Sequence, residues 1–160
     1  MSKATRRKVL RLLTYGLYII TTRLNDQVHA GLISWLSQAS FNPPLIMVAI
    51  RSESKLYSLI NESRVFAVNI LSADQKDVAS AFFSIKEVKN KMINGYLYEE
   101  GEKTGSPILI DLPAWFECRV IGQLDKGDHT VFLAEVVNSG LRKEIDKPLI
   151  LWDTGWHYGG

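Results

Sequence analysis

AWFECRVIGQLDKGDHTVFLAEVVNSGL, Ala114 to Leu141, is the stretch whose reading decides the fold. AWFECRVIGQL and TVFLAEVVNSGL are long runs dominated by apolar and β-branched residues, and each reads as a strand. DKGD between them reads as a hairpin turn in which glycine accepts a positive φ. Strands joined this closely are antiparallel neighbours. Upstream, LYIITT is β-branched and aromatic, LNDQVHAG supplies a turn and a second strand, and PLIMVAI is an unbroken apolar run bounded by Pro43, Pro44 and Arg51. Val65 to Leu71 reads as another buried strand.

Helical spacing is sparser. Arg6 to Leu13 places Val9, Leu10, Leu12 and Leu13 largely on one side, and Gly16 ends the run. Leu56, Leu59 and Ile60 recur at helical intervals, and Ser72 or Asp74 is placed to cap a helix through Asp77, Val78, Ala81 and Phe82. Ser84 to Pro107 is polar and glycine-spotted, the least legible part, with at most a short helix around Val88 to Met92 and short strands after it. Strands are not followed one by one by helices, so a doubly wound sheet is disfavoured. The pattern predicts a mainly β chain, an antiparallel barrel with a few covering helices, in a single domain spanning 1–160.

Composition narrows the function classes. With 160 residues, 46% hydrophobic and 22% charged, the chain is long enough for one core, and its net charge of +2 gives no overall field for a nucleic-acid binder. The basic start KATRRK reads as a solvated arm. The apolar run after it is interrupted by Arg11 and Gly16, with no small-residue cleavage site, so a cytoplasmic protein is expected. No apolar segment approaches the roughly 20 residues of a membrane helix. The one cysteine, Cys118, sits among apolar neighbours and reads as a buried thiol. His29, His129 and His157 share no metal-ligand spacing, so no metal is expected.

Two stretches carry ligand chemistry. LISWLSQASFNPP, Leu32 to Pro44, begins like a strand and dissolves into polar residues, with Ser34, Ser37, Gln38 and Ser40 in quick succession. Short side chains expose backbone, which suits a flat heteroaromatic with donors and acceptors along one edge; a solvated connection into the next strand fits equally well. RSESKLY opens a helix: Ser52 or Ser54 is the N-cap, and the free first-turn N–H groups form an anion site that Arg51 and Lys55 reinforce, unless they are ordinary solvated charges. Together the stretches sketch a ligand with a flat ring at one end and a phosphate at the other.

SQASFNPP, the apolar strand after it, VFAVNIL, GSPIL at Gly105 to Leu109, FEC at Phe116 to Cys118 and GDH at Gly127 to His129 occur in an order that resembles the flavin reductase-like family. Its flavodiiron-type modules and flavoredoxin carry similar patterns. The resemblance runs from about Tyr15 to Gly140 and implies a split β-barrel that binds FMN, with FAD as the alternative, usually as a homodimer. It implies that Ser34, Trp35, Leu36, Ser37, Gln38 and Ser40 hold the ring. Arg51, Ser52, Ser54 and Lys55 would face the phosphate, and Phe83 matches a family aromatic near the flavin. Trp35 departs from the small polar residue of many members, although flavodiiron-type modules also carry Trp there, and it would narrow the ring pocket.

The same resemblance gives GDH a role. His129 would steady the nicotinamide of NADH or NADPH, or donate a hydrogen bond to the reduced flavin, with Asp128 and the turn amides orienting it. Read without the resemblance, Asp128 is a turn cap and His129 a partly exposed histidine. LWDTGWHYGG at 151–160 is either a lid over the flavin or an aromatic segment docked on the barrel. Three functions stay open: an NAD(P)H-dependent flavin reductase serving a partner, an electron carrier with tightly bound FMN working with a redox-partner protein, and a non-enzymatic flavin-binding module.

Overall fold

A computed structural model describes residues 1–160. The elements run α1 (Lys3–Leu10), β1 (Tyr18–Leu24), β2 (Gln27–Ile33), β3 (Leu36–Ser40), β4 (Leu45–Arg51), α2 (Lys55–Ser63), β5 (Val65–Ile70) and α3 (Lys76–Ala81). They continue β6 (Val88–Lys89), β7 (Met92–Ile93), β8 (Tyr96–Glu100), β9 (Pro107–Leu109), β10 (Ala114–Leu124), β11 (His129–Leu141) and α4 (Leu151–Thr154). No helix is long and apolar enough to cross a membrane.

Seven strands form one antiparallel sheet in the order β2-β1-β5-β10-β11-β4-β3. Its two edge strands, β2 and β3, are joined by Ser34 and Trp35 alone, so the sheet curls until its edges approach one another. No ladder pairs them, and the barrel is therefore split along a seam. α2 packs over that seam from inside: Leu56 lies against Gly31 of β2, where even a methyl group would press on it, and clusters with Ile46, Val48 and Ile50 of β4.

Alternation along the strands sends residues into two cores. Ile20, Phe66, Val68, Cys118, Phe132 and Ala134 fill the barrel with α2, whereas Ile19, Val28 and Ala30 face outward under α3, β7 to β9 and the segment 149–151. β1 is buried on both faces from Ile19 to Thr22, and its two buried threonines donate to main-chain carbonyls, Thr21 to Pro107 and Thr22 to Val65. Asn69 ties the layers together: its Nδ2 donates to the Ile19 carbonyl at 3.1 Å and its Oδ1 accepts the Leu109 N–H at 2.8 Å. Cys118 is fully buried, and burial, then the nearby Glu117 charge, pushes its thiol far above the usual range.

Several local expectations are corrected. α1 begins three residues earlier than its apolar spacing implied, because the Ser2 hydroxyl accepts the Thr5 N–H, and it buries none of its side chains. Neither Ser72 nor Asp74 caps α3; they hydrogen-bond each other, and Gln75 occupies the cap position with its Oε1 accepting the Ser72 N–H. Val88 to Met92 is not helical. Asn90 and Lys91, at φ 53° and 55°, turn β6 into β7, a backbone that apolar periodicity does not reveal. The DKGD connection closes without a positive φ at Gly127, since a four-residue loop closes with ordinary dihedrals. The Asp125 carboxylate holds it by accepting from Thr130 Oγ1 at 2.6 Å and Gln123 Nε2 at 3.0 Å.

Candidate functional site

A cleft of about 420 Å³ opens beside the seam. Its walls come from the end of β2, the close of β4, the start of α2, the exit of α3 and the segment 156–158. That volume lies within the roughly 300–1,000 Å³ of small-molecule sites.

One end is built for an anion. β4 delivers Arg51 to the rim, and the chain turns at once into α2 because Ser54 caps it. The Ser54 Oγ donates to the Arg51 carbonyl at 2.7 Å and accepts the Tyr57 N–H at 3.1 Å. The amides of Lys55 and Leu56 are thereby left as first-turn donors beside the Lys55 ammonium and the Arg51 guanidinium. The protein's six ion pairs involve neither cation. Ser52 is neither the cap nor a cleft residue: its hydroxyl lies 3.1 Å from that of Thr130.

The other end is aromatic. Ser34 and Trp35 line the cleft, and the buried Trp35 Nε1 has no hydrogen-bond partner. An unpaired buried N–H is costly and suits an acceptor on a ligand. The rest of the serine-rich run parts company here. Once the Trp35 carbonyl accepts the Ala49 N–H at 2.9 Å, the chain is zipped onto β4 as β3, and Leu36, Ser37, Gln38 and Ser40 do not line the cleft. Leu36 packs toward the barrel core, while Ser37 and Gln38 are exposed and bond their own backbone neighbours.

His129 lies behind Trp35, 4.5 Å between ring centroids, and opposite Arg51 in the β11–β4 register. Its Nδ1 is 2.7 Å from Asp128 Oδ1 and its Nε2 is 2.5 Å from the Tyr158 hydroxyl. The bond to His129, then the imidazole's charge, holds the Asp128 carboxyl below its ordinary range. Burial raises the Tyr158 phenol, with Arg51 pulling it down and Asp128 pushing it up. His129 and Asp128 therefore form a pair, as the sequence suggested, but they stand outside the cleft lining, behind Trp35 and Tyr158.

The 151–160 segment is docked and also walls the cleft. Trp156 meets Phe83 edge-on at 4.7 Å beneath the Lys76 ammonium, Tyr158 meets Trp35 at 5.2 Å, and the Gly159 carbonyl accepts from Arg11 Nε at 3.2 Å. Phe83 itself is largely exposed and lines the cleft. His29, which sequence reading passed over, also lines it; burial and then the Lys55 charge lower its basicity.

Residues 10–160 match the family profile described as flavin reductase like domain. The flavin reductase (NADH) of Kitasatospora aureofaciens is 32% identical over 146 residues, covering 90% of this chain and 75% of the relative. Diflavin flavoprotein A 1 of Synechocystis is 32% identical over 136 residues, covering 85% of this chain, which spans only 24% of that longer relative. Among solved structures, the flavin reductase PheA2 in its native state superposes with a TM-score of 0.76 at 31% identity, covering 94% of this chain and 93% of that one. A flavin reductase-like structure from Haemophilus somnus, at 22% identity and a TM-score of 0.80 over 94% of each chain, has the same fold. A split barrel, a cleft with an anion-binding end and an aromatic end, and a profile match over most of its length make this chain a member of the flavin reductase-like family.

Proposed function

We propose that residues 1–160 act as one flavin-binding unit and that the protein is an NAD(P)H:flavin oxidoreductase. It would hold a flavin mononucleotide group in the cleft and pass electrons to free flavin or to a partner protein. The observation that carries this reading is the polarity of the cleft: unpaired cations at the capped start of α2, and an unpaired indole N–H at the far wall. A flavin mononucleotide has the same polarity, with a phosphate at one end and an acceptor-rich ring at the other.

When bound, the flavin supplies the hydride acceptor, so no protein acid or base is needed for the transfer itself. The chain's residues bind and orient. Arg51, Lys55 and the first-turn amides hold the phosphate, Trp35 donates to the ring edge, and the aromatic wall excludes water. His129, its Nδ1 fixed by Asp128, would present Nε2 to steady the nicotinamide or, when protonated, to donate a hydrogen bond to the reduced ring. Tyr158 holds that nitrogen, so the phenol must swing aside or hand over its hydrogen bond first.

Anaerobic visible spectroscopy tests the proposal: the flavin-loaded protein should bleach on addition of NADH or NADPH. The Tyr158–His129 bond also favours a second reading, an electron carrier whose donor face is closed to nicotinamides. A protein that stays oxidised with both nucleotides but is reduced by a redox-protein partner would establish the carrier instead. His129→Ala should slow nicotinamide-driven reduction by about tenfold or more while sparing flavin affinity. Equal loss of both, or of neither, would remove His129 from the role.

We also assign the chain to the cytoplasm, where its nicotinamide donors are found, and to a homodimer. Supporting the dimer, Val9 and Leu10 of α1, Leu12 and Leu13 just after it, and Trp152 expose large apolar side chains. Sedimentation at the mass of one chain would exclude it.

A further inference from the structure

The chain leaves α4 through Gly155, at φ 77°, and from there to Gly160 it makes no hydrogen bond between main-chain groups and buries no residue. What precedes it is firmly held. Leu149 donates its N–H to the Leu71 carbonyl at 2.9 Å, Leu151 donates to that of Tyr15 at 2.9 Å, and Ile150 bridges Gly16. A fixed base therefore carries a strap, residues 156–160, whose backbone belongs to no ladder.

Every hold on the strap involves a side chain. The Trp156 ring meets Phe83 on one wall of the cleft and the Tyr158 ring meets Trp35 on another, so the strap crosses the aromatic end from wall to wall. Asp128 accepts from His129 Nδ1, which leaves Nε2 as the acceptor to which the Tyr158 hydroxyl donates. The third hold comes from α1. Arg11 Nε donates to the Gly159 carbonyl, and Gly160 lies so close to Arg7 that a methyl group on it would stand 2.5 Å from the Arg7 Cγ. Because α1 buries none of its side chains, this clamp joins two surface segments to each other and not to the core. Behind the strap, Trp156 and Tyr158 also line a hollow of about 90 Å³ with Arg11, Leu13 and Tyr15, so their rings have open space on both sides. Gly155 and Gly159, at φ 77° and 140°, bracket the rings with pivots that a side chain would strain.

We propose that residues 156–160 form a gate across the cleft, latched by Tyr158 to His129 and clamped by Arg11 of α1, and that the gate opens to admit and release the flavin. The inference rests on the proposed flavin site. A gate and a fixed wall differ in what they do to rates. A closed gate slows entry and exit alike, whereas a wall that merely touches the ligand slows exit alone.

Stopped-flow mixing of flavin-free protein with FMN, followed by flavin fluorescence, gives the association rate, and dilution of the complex gives the dissociation rate. Arg11→Ala should raise both rate constants by about fivefold and leave their ratio unchanged to within about twofold. Loss of a cation by itself slows the approach of an anionic ligand, so the acceleration has the opposite sign to an electrostatic effect. Arg6→Ala, on the same helix but not bonded to the strap, should accelerate neither step. Tyr158→Phe, which keeps the ring and drops the latch, should show the same paired acceleration as Arg11→Ala, with circular dichroism confirming that each variant folds. A rise in dissociation alone would make the strap a fixed wall and overturn the gate. Rates unmoved in either variant would overturn it too, with the flavin site left standing in both cases. Failure of the wild-type protein to bind FMN or FAD would instead remove the site itself, and the gate with it.

Discussion

Replacing Arg51 by alanine should weaken FMN binding by about 1.5 to 3 kcal/mol, the range of a hydrogen bond to a charged group. In dissociation constant that is roughly 10- to 150-fold. Arg51 closes β4 with no ion pair of its own, next to the Ser54 cap. The substitution leaves the backbone carbonyl that receives the Ser54 hydroxyl, so the α2 amides and Lys55 still attract the phosphate and the loss is partial. Arg51→Lys should fall between, because an ammonium keeps the charge but not the planar fork. Fluorescence titration of flavin-free protein measures all three, and an unchanged affinity in the alanine variant would take Arg51 out of the phosphate site.

The second large effect concerns stability. Glu117 lies in β10 with no exposed surface, and its carboxylate accepts from the Thr104 N–H at 2.8 Å, the Thr104 hydroxyl at 2.7 Å and Asn138 Nδ2 at 2.8 Å. The Lys103 N–H is shared between its two oxygens at 3.1 and 3.2 Å. The FEC motif therefore clamps the loop that leads into GSPIL, and it holds that loop across the register shift between Glu117 and Cys118. Glu117→Ala strands several donors in a dry site and should cost about 3 to 5 kcal/mol. For a chain of this size that lowers the thermal midpoint by on the order of 10 °C, measurable by circular dichroism.

The same carboxylate carries a pH signature. Burial alone would raise its pKa, but the bonds from Asn138, Thr104 and Lys103 outweigh it and leave the folded value below the ordinary one. A depressed carboxylate contributes stability above its unfolded pKa, about 4.3, and loses it as the pH falls through the folded value. The difference in midpoint between wild type and Glu117→Ala should therefore shrink on acidification below about pH 4. A constant gap would show that the clamp works as packing and not as charge.

Much of the barrel was legible because its strands are long and apolar, and the β10–β11 hairpin alone shows that neighbouring strands run antiparallel. The small sheet was not: β6 and β7 are two residues each, and their course is set by Asn90, Lys91 and Asn94 at positive φ, which leaves no hydrophobic period to read. The cleft shows the same division. Ser34, Trp35, Arg51, Ser54, Lys55 and Phe83 reach it, and most of them stand where one element gives way to another, a place marked by polar residues beside apolar runs. Leu36 to Ser40 do not line it, since polarity looks alike in an exposed edge strand and in a binding loop. His29 and Tyr158 depend on strand alternation and on a contact across 29 residues, respectively, and no local motif announces either.

The unpaired seam has a mechanical consequence. A fully laced barrel widens only by breaking rungs between strands, each an amide–carbonyl bond with a partner to lose. Here β2 and β3 carry no such rungs between them, and behind the gap Leu56 of α2 makes only apolar contact, with Gly31 of β2 and the β4 side chains Ile46, Val48 and Ile50. The molecule can therefore flex at the place where its cleft opens while the remaining strands stay in register. Its compliance is concentrated at the mouth, so a broad, rigid guest can be admitted and released without the frame coming apart.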